Sequence, residues 1–396
     1  MPHAALEIVA VASIGAVAYS YAIYPFVLAA IAALKQTLAD ARYVLGKKDR
    51  RGDAEAELPE VAVVISAYNE EKHVAARIDN LLAQDYPSGR LHVYIGSDGS
   101  GDRTGEILAR IVDPRVHGFV FAENRGKASV LNDLVERTRE PVLVFSDANT
   151  AFDRAATRRL ARHFADADVG GVSGELRLID AAGGDNQDGL YWRIEQFMKF
   201  FEGRLGALLG ANGAIYAIRR ELWKPLRPDT ICDDFCVGMN VPAQGRRLVY
   251  EPNAWAEEES PAAIADEFNR RVRIGIGNFQ ALMRQPDYFT KTSAATVFAY
   301  VSHKVLRWIA PHLLIVGLVA SLLLAPGSAA WAAFALLQIA GYAVSAWAYR
   351  TSTRGRKLPG PLRILAFLFA LNLAFLIASA RYARGNYRGS WRRSER

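Results

Sequence analysis

Two oxygen-bearing side chains with a spacing suited to metal binding lie near the middle of the chain. Asp147 and Asn149 are separated by one residue in the sequence LVFSDANTAFD, and only Ser146 lies between Asp147 and the apolar run Leu143–Phe145. Carboxylate and amide oxygens are the ligands that Mg²⁺ and Mn²⁺ prefer in proteins. The pattern predicts a strand that ends in a divalent-cation site. An alternative interpretation is that Asn149 or Thr150 caps a helix that extends through Arg159.

A second carboxylate cluster lies in the sequence ICDDFC, where Asp233 and Asp234 are adjacent. Two carboxylates in one closed site repel each other, and this repulsion raises the pKa of one of them. The flanking Cys232 and Cys236 are the only cysteines in the sequence, which argues against a disulfide framework. A zinc site would need two further ligands, and no other Cys or His lies nearby in sequence. We therefore interpret both cysteines as small, half-buried residues.

Four short apolar runs between residues 61 and 150 each end in a polar loop. The runs predict strands in the sequences VAVVISAYNE, HVYIGSDGSGDRT, HGFVFAENRG and PVLVFSDANT. Between these runs, apolar residues recur at helical spacing, as do Val74, Ile78 and Leu81. This alternation predicts right-handed βαβ units and a mostly parallel sheet covered by helices on both faces, so the predicted fold class is α/β.

The polar clusters of the chain fall at the carboxyl ends of the predicted strands, where open α/β sheets bind their ligands. The clusters are Tyr68–Glu70, Ser97–Ser100, Glu123–Lys127 and Asp147–Asn149. No G-x-G-x-x-G turn follows the first strand and no G-x-x-x-x-G-K-[ST] sequence occurs, so a dinucleotide dehydrogenase and a P-loop NTPase are poor interpretations. What remains is a nucleotide site built from carboxylates, an amide and a lysine, with a divalent cation.

Apolar segments at both ends of the chain predict membrane anchors. Residues 5–34 contain one charged residue, Glu7, and are long enough to cross the roughly 30 Å hydrocarbon core of a bilayer. This segment is too long for a cleaved signal peptide and lacks its basic start and its small-residue cleavage site. Further apolar segments lie at 308–325, 329–349 and 364–380.

The apolar segments divide the chain into three predicted parts. They are 1–54, a transmembrane helix with a basic linker; 55–290, a soluble domain; and 291–396, an interface helix, transmembrane helices and a basic tail. The interface helix is predicted from VSHKVLRWIAP, whose basic residues would meet lipid headgroups. The aromatic-rich residues 191–206 fit either a core helix or an amphipathic helix near the bilayer.

Basic residues predict the orientation of the chain in the membrane. Six Lys and Arg residues lie between positions 35 and 51, and none precedes the first apolar segment, which predicts a cytoplasmic soluble domain. The last apolar segment has basic residues on both flanks, so it is re-entrant, lies in the interface, or leaves a basic tail outside. The net charge of +7 is concentrated near the apolar segments and favours anionic lipid, rather than nucleic acid, as a partner.

The chain resembles the membrane-embedded family 2 glycosyltransferases, which are related to cellulose, chitin and hyaluronan synthases. Six motifs carry the resemblance across residues 58–290, in the family's order: VISAYNEE, SDGSGDRT, NRGKASVLN, SDANT, GANGAIYAIRRELW and CDDF. Each motif is weak alone, and the order and spacing make the combination specific. The resemblance implies a nucleotide-sugar-binding α/β domain of the GT-A type, in agreement with the predicted strands.

The resemblance implies donor-binding and metal-binding roles for residues at the strand ends. The family's D-x-D motif holds Mg²⁺ or Mn²⁺ on the sugar-nucleotide diphosphate, and here it reads Asp147-Ala148-Asn149, so Asp147 and Asn149 are the expected metal ligands. Asp98 matches a position that contacts uracil or ribose, and Lys127 matches a position near the nucleotide. The residues expected to bind the donor nucleotide are Ala67, Tyr68, Asn69, Glu70, Asp98, Lys127 and Asp147.

Catalytic and acceptor-side roles also follow from the resemblance. Asp233 and Asp234 match an E-D pair whose second member is the general base, so Asp234 is the predicted base and Asp233 a supporting carboxylate. An acceptor hydroxyl has a pKa far above 7, so a carboxylate must take its proton during attack on the anomeric carbon. The residues expected to contact the diphosphate or the acceptor are Arg270, Arg273, Asn212 and Gly213.

One motif departs from the processive synthases, which carry Q-x-x-R-W. This chain has Arg270, Arg273 and Ile274 at the three defined positions, so the aromatic that would stack on the acceptor sugar is missing. The alternative is that another aromatic, such as Trp255 or Phe279, takes that role.

Together these features predict an inverting glycosyltransferase of a bacterial inner membrane, with its catalytic domain in the cytoplasm. It would transfer a sugar from a nucleotide-sugar donor, with a UDP-linked donor favoured, to a lipid or saccharide acceptor. The missing Trp and the small number of apolar segments favour transfer of one or a few sugars. The alternatives are a processive polysaccharide synthase whose pore needs a partner subunit or an oligomer, and a membrane nucleotide-binding subunit without turnover.

Overall fold

The computed structural model describes residues 2–46, 57–179, 189–259 and 264–387. Within these ranges the chain forms two compact units. One comprises the described parts of residues 31–260 and 285–297, which we call the sheet unit. The other comprises the described parts of residues 1–30, 261–284 and 298–387, which we call the helical unit.

Helices form much of both units. In chain order they are α1 (Pro2–Ala18), α2 (Tyr24–Gly46), α3 (Val74–Leu82), α4 (Thr104–Ala109), α5 (Lys127–Arg137), α6 (Ala156–Ala161), α7 (Gly189–Leu205), α8 (Asp233–Asn240), α9 (Ile264–Arg284), α10 (Asp287–Thr290), α11 (Ala294–Ala299), α12 (Leu306–Leu324), α13 (Ala329–Ser352) and α14 (Gly360–Ala383).

The sheet unit is built on a mixed sheet that has eight strands among the described residues. They are β1 (Val61–Ala67), β2 (Leu91–Asp98), β3 (Val116–Phe121), β4 (Val142–Asp147), β5 (Ala151–Phe152), β6 (Val169–Ile179), β7 (Tyr216–Arg219) and β8 (Arg247–Glu259). Their spatial order is β3-β2-β1-β4-β7-β6-β8-β5. The first four pair in parallel, whereas β7 is antiparallel to both β4 and β6.

The parallel half of the sheet forms because its strands are apolar on both faces. Residues 61–65 of β1 are fully buried, with no solvent-accessible surface. Such continuous apolar runs suit a parallel strand that is covered by helices on both sides. The α/β prediction, the four predicted strands and the mostly parallel arrangement of that half are confirmed.

Strand register brings the carboxyl ends of β1, β2 and β4 to one edge of the sheet. Ser66 lies opposite Asp147, and Ala67 lies opposite Ser97. The loops that follow these strands therefore begin side by side at one edge of the sheet. The sequence predicted ligand binding at this edge.

The helix-cap interpretation of the sequence DANT is wrong. Residues 151–152 form β5, which pairs antiparallel with β8, and the next helix begins only at Ala156. Thr150 Oγ1 instead bonds the Ser146 hydroxyl at 2.8 Å and donates to the Asp147 carbonyl at 3.0 Å. The Asp147–Thr150 segment is therefore a tight turn between two strands, which we call the β4 turn.

The helical unit contains helices of membrane-spanning length. Within the described residues, four helical segments are long and apolar enough to cross a bilayer: His3–Arg42, Ala294–Gly327, Ala329–Ser352 and Gly360–Ala383. The last of these is one continuous helix, not the two short helices of a re-entrant segment. Close helix packing inside the unit uses glycine: a Cβ on Gly275 of α9 would lie 2.7 Å from Ala378 of α14.

The predicted separate interface helix is not observed. The sequence VSHKVLRWIAP lies inside the segment Ala294–Gly327, where a π-helical turn, Tyr300–Val305, joins α11 to α12. His303 and Arg307 are buried, not exposed as headgroup anchors would be. A second π-helical turn, Tyr19–Ile23, joins α1 to α2 and packs here, with the Ser20 hydroxyl donating to the Ser302 carbonyl at 2.7 Å.

Candidate active site

An ion cluster joins the end of β4 to the starts of α5 and α8. Lys127 Nζ lies 2.9 Å from Asp147 Oδ1 and 3.1 Å from Asp233 Oδ2. Lys127 opens α5 directly after Gly126, whose φ of +90° is a conformation that glycine adopts without strain. Asp233 is buried and opens α8, whereas Lys127 and Asp147 are partly exposed. Three predicted site residues, distant in sequence, thus meet around one ammonium group.

The carboxylates of this cluster keep Lys127 charged. Burial alone would lower the pKa of Lys127, but the charges of Asp147, Asp233 and Asp234 outweigh it and raise the pKa well above its usual range. The ammonium group is therefore permanently positive and able to attract a ligand phosphate.

Asp234 is held by backbone amides beside this cluster. The Gly213 N–H donates to Asp234 Oδ2 at 3.0 Å, and the Phe235 N–H donates to Oδ1 at 2.8 Å. Burial and the neighbouring Asp233 charge raise the pKa of Asp234 to about 6, although Lys127 partly opposes the shift. A carboxyl with such a pKa is ionised near neutral pH yet accepts a proton more readily than an ordinary aspartate, as a general base requires.

The raised pKa predicts a stability effect. The folded state binds the Asp234 proton more tightly than the unfolded chain, so this carboxyl destabilises the fold progressively as the pH rises from about 4 to 6. The free energy of unfolding of Asp234→Asn, relative to that of the wild type, should therefore rise by about 1–3 kcal/mol when the pH is raised from 4.5 to 7.5. Thermal unfolding of the detergent-solubilised protein in EDTA measures this difference.

The exposed Asp168 provides the control for this measurement, because its side chain is 79% exposed. Asp168→Asn should unfold in parallel with the wild type at both pH values. If Asp234→Asn also runs parallel to the wild type, the Asp234 carboxyl does not carry a raised pKa.

The loop 210–213 approaches α8 backbone to backbone. A Cβ added to Gly238 would lie 2.4 Å from the Ala211 nitrogen and 2.6 Å from the Gly210 carbonyl carbon. Gly210 has a φ of +72°, and a Cβ there would lie 2.6 Å from the Phe235 ring. Only glycine at positions 210 and 238 allows the loop to come this close to α8. The close approach brings the Gly213 N–H within hydrogen-bonding distance of the Asp234 carboxylate.

Asp98 holds the loop that leads into α5. Its carboxylate is buried and accepts the backbone N–H groups of Arg125 and Gly126, each at 2.8 Å. The Asn124 side chain donates to the Asp98 carbonyl at 3.1 Å. Asp98 thus fixes the position of Lys127 one residue further on, and its predicted contact with the nucleotide stays a prediction.

The loop after β1 is tied to the loop after β2. Asn69 adopts a φ of +55°, and its side-chain oxygen accepts the Gly101 N–H at 2.9 Å. The Glu70 N–H donates to Thr104 Oγ1 at 2.8 Å. The predicted donor-binding residues Ala67, Tyr68, Asn69 and Glu70 therefore share one edge with Asp98. Of the residues predicted to contact the diphosphate or the acceptor, Asn212 donates its backbone N–H to Ser173 Oγ at 3.1 Å.

The residues around the β4 turn fit a divalent cation in their chemistry. The Asn149 side-chain nitrogen donates to Glu258 Oε1 at 3.1 Å, which leaves the amide oxygen of Asn149 as a potential ligand. Asp147 is partly exposed, and Lys127 is the only basic side chain that the contacts place among Asp147, Asp233 and Asp234 in the described residues. An oxygen-only donor set with excess negative charge suits Mg²⁺ or Mn²⁺.

Arg270 and Arg273 lie on α9, which belongs to the helical unit, so their predicted roles at the diphosphate stay predictions. Ile274, at the position of the missing Trp, is 40% exposed. Of the two alternative stacking residues, Phe279 is buried and stacks on Tyr382 at 6.4 Å between ring centroids, so its face is not available to a sugar.

The structure adds two residues that the sequence did not single out. Tyr216, at the start of β7, is fully buried, and its hydroxyl has no hydrogen-bond partner among the described residues. Burial, followed by the charges of Asp233 and Asp234, raises its pKa well above the usual range, so the phenol stays neutral. The sequence signal that could have identified Tyr216 is that it is the single Tyr among the small and aliphatic residues of GANGAIYAI. The second residue is Glu258, near the end of β8.

A family model matches the part of the chain that contains most of the sheet. Residues 62–224 match the family model described as "Glycosyl transferase family 2". The chain therefore carries a glycosyltransferase family 2 domain, and the resemblance inferred from the motifs is confirmed.

Curated relatives are polysaccharide synthases of staphylococci. Over 262 residues the chain is 28% identical to the poly-beta-1,6-N-acetyl-D-glucosamine synthase of Staphylococcus aureus strain COL, covering 63% of this chain. It is 25% identical over 260 residues to the synthase of the same name from Staphylococcus epidermidis. The match spans 61% of the length of the first relative and 62% of the second.

A solved structure matches nearly the whole chain. A mannosyltransferase from Pyrobaculum calidifontis, in complex with GDP-Man and Mn²⁺, superposes with a TM-score of 0.70 at 20% identity, over 98% of this chain and 100% of that one. At this identity the match establishes the fold, and the predicted GT-A architecture with helices at both ends is confirmed.

Proposed function

We propose that this protein transfers a sugar from a nucleotide-sugar donor to a lipid or saccharide acceptor at a membrane, with inversion at the anomeric carbon and with Asp234 as the general base. The observation that carries the proposal is the meeting of Lys127, Asp147 and Asp233 beside the amide-held Asp234. One group of charges suits a diphosphate and its counterion, and the adjacent carboxylate suits an acceptor hydroxyl.

Donor binding would use the sheet edge. Asp147 and Asn149 would hold Mg²⁺ or Mn²⁺, which when bound offsets the negative charge of the leaving diphosphate. Lys127 would move its ammonium group from the carboxylates to a phosphate oxygen, which is a short shift because its side chain is flexible and partly exposed. Asp98 keeps the Lys127 loop in place for this contact.

The transfer itself would be one displacement. The acceptor oxygen forms its bond to the anomeric carbon while the bond from that carbon to the diphosphate oxygen breaks. Asp234 takes the acceptor proton, and the diphosphate leaves with the bonding electron pair. The Gly213 and Phe235 amides fix the Asp234 carboxylate for this proton transfer.

The donor class can be tested directly. The staphylococcal relatives are named for a polymer of N-acetylglucosamine, which supports UDP-N-acetylglucosamine as the first donor to test. Release of UDP or GDP by detergent-solubilised protein, measured with UDP-N-acetylglucosamine, UDP-glucose and GDP-mannose, identifies the donor. Release from none of the three, with binding retained, would favour the nucleotide-binding subunit without turnover.

We expect short products from the purified protein. Ile274 provides no stacking platform, and among the described residues four helices have membrane-spanning length, too few to line a sugar channel within one chain. The name of the relatives favours the second candidate, a polysaccharide synthase, whose pore would need a partner subunit or an oligomer. Mass analysis of products formed with donor and membranes decides between them, because a long ladder contradicts transfer of one or a few sugars.

The proposed location is a bacterial inner membrane, with the sheet unit on the cytoplasmic side. The four apolar helices and the basic residues between positions 35 and 51 support it. Protease access to spheroplasts and to inverted vesicles tests the orientation, since the sheet unit should be cleaved only in inverted vesicles.

A further inference from the structure

A buried arginine lies behind the turn that carries Asp147 and Asn149. Arg77 of α3 is 2% exposed. Its guanidinium donates from Nη2 to Ser146 Oγ at 2.8 Å and from Nη1 to Asn80 Oδ1 at 2.5 Å. It also stacks on the Phe152 ring, with its central carbon 4.1 Å from the ring centroid.

These contacts hold the turn at both ends. Ser146 immediately precedes Asp147, and Phe152 follows the turn in β5. Asn80 fixes the same strand, because its side chain accepts the Phe152 N–H and donates to the Phe152 carbonyl, each at 2.9 Å. A planar guanidinium has donors in fixed directions, so it can set two groups relative to each other in a way that a lysine cannot.

The same contacts extend to the loop 210–213, which holds the proposed general base Asp234. The Ser146 hydroxyl lies 2.8 Å from the Ala214 carbonyl and 2.8 Å from Thr150 Oγ1. Ala214 directly follows Gly213, whose N–H donates to Asp234. A chain of contacts thus links α3, the β4 turn and the loop on Asp234.

Arg77 has no ion pair with a carboxylate among the described residues, and its Nε has no hydrogen-bond partner there. Burial lowers the pKa of Arg77 to about 9, an effect that the Asp147 charge partly opposes, so the group remains charged at neutral pH. A buried charge that lacks a direct counterion is costly. Arg77 nevertheless contacts residues on both sides of the turn, which is the arrangement expected of a residue that positions the turn.

We infer that Arg77 is a positioning residue for the divalent-cation and donor site, acting through Ser146 and Phe152 to fix the Asp147–Thr150 turn. This inference rests on the proposed function, because the turn is the proposed cation site. Residues outside the ligand set that orient the ligands commonly change metal affinity by about 10–100-fold when they are substituted.

The test compares Mn²⁺ binding by full-length, detergent-solubilised variants. The dissociation constant of Mn²⁺ is measured by electron paramagnetic resonance with UDP or GDP, whichever the wild type binds. Arg77→Lys keeps the charge without the planar fork, Arg77→Met removes the charge, and Ser146→Ala removes only the relay hydroxyl. All three should weaken Mn²⁺ binding by about tenfold or more.

Arg219→Met is the matched control. Arg219 donates to the carbonyls of Phe164, Asp166 and Val169 and stacks on the Phe164 ring, so its loss should lower the melting temperature. None of these contacts is with the Asp147–Thr150 turn, and Mn²⁺ affinity should therefore stay at the wild-type value.

Each outcome decides the inference. Wild-type Mn²⁺ affinity in folded Arg77→Lys and Ser146→Ala overturns it. Tighter Mn²⁺ binding by Arg77→Met shows that Arg77 acts as an opposing charge and also overturns it. A wild-type protein that binds Mn²⁺ with neither nucleotide overturns the proposed function as well, which separates the two failures.

Discussion

Replacing Asp234 with asparagine should reduce sugar transfer by about 10³-fold and leave nucleotide binding nearly unchanged. The asparagine keeps the size of the side chain and one oxygen for the Gly213 or Phe235 amide, but it cannot take a proton. The proton therefore has no acceptor as the new bond forms. Nucleotide release and UDP affinity, measured on the same preparation, give the two quantities.

The control for this experiment is Asp168→Asn, whose side chain is 79% exposed. Its transfer rate should match the wild type. A loss of nucleotide affinity in Asp234→Asn as large as the loss of rate would contradict the assignment of Asp234 to the acceptor side.

Replacing Asp147 with alanine should abolish the metal-dependent part of donor binding. Asp147 supplies the one carboxylate of the Asp147–Asn149 pair, and the amide that remains brings no charge. Since loss of an outer partner already costs about 10–100-fold in metal affinity, loss of this carboxylate should cost at least about 100-fold. Titration of UDP with and without Mn²⁺ measures the effect.

Asp85→Ala is the control for Asp147→Ala, because Asp85 pairs with Arg158 on the surface and its side chain is 52% exposed. Its Mn²⁺-dependent gain in UDP affinity should equal that of the wild type. An unchanged gain in Asp147→Ala would show that the turn serves only the fold.

The sequence predicted the parallel half of the sheet because burial on both faces produces an unbroken apolar run, as in residues 61–65 of β1. The other half of the sheet, in which β7 is antiparallel to its neighbours β4 and β6, gives no such signal. β6 contains adjacent glycines at 170 and 171, and β8 ends in three glutamates, so neither shows the periodicity of a strand. The two-residue β5 is set by its pairing with β8, which is not visible locally.

The candidate site residues also divide into those with a local sequence signal and those that only the fold reveals. Asp147 and Lys127 were predicted because they follow a recognisable strand and a glycine at a helix start. Arg77 was not, because a cation on an amphipathic helix is usually solvated, and only the fold shows that this one points inward. The burial of His303 was not predicted for the same reason, because a sequence does not show which neighbouring helices cover a side chain.

The glycine contact between α8 and the loop 210–213 restricts how this protein can evolve. A side chain at Gly238 would collide with the backbone of Gly210 and Ala211, so no single substitution there leaves the helix in place. A lineage that acquires a new acceptor must therefore change residues outside this contact, or alter both segments together. We expect acceptor preference to diverge among descendants of this protein while the spacing between α8 and its loop stays constant.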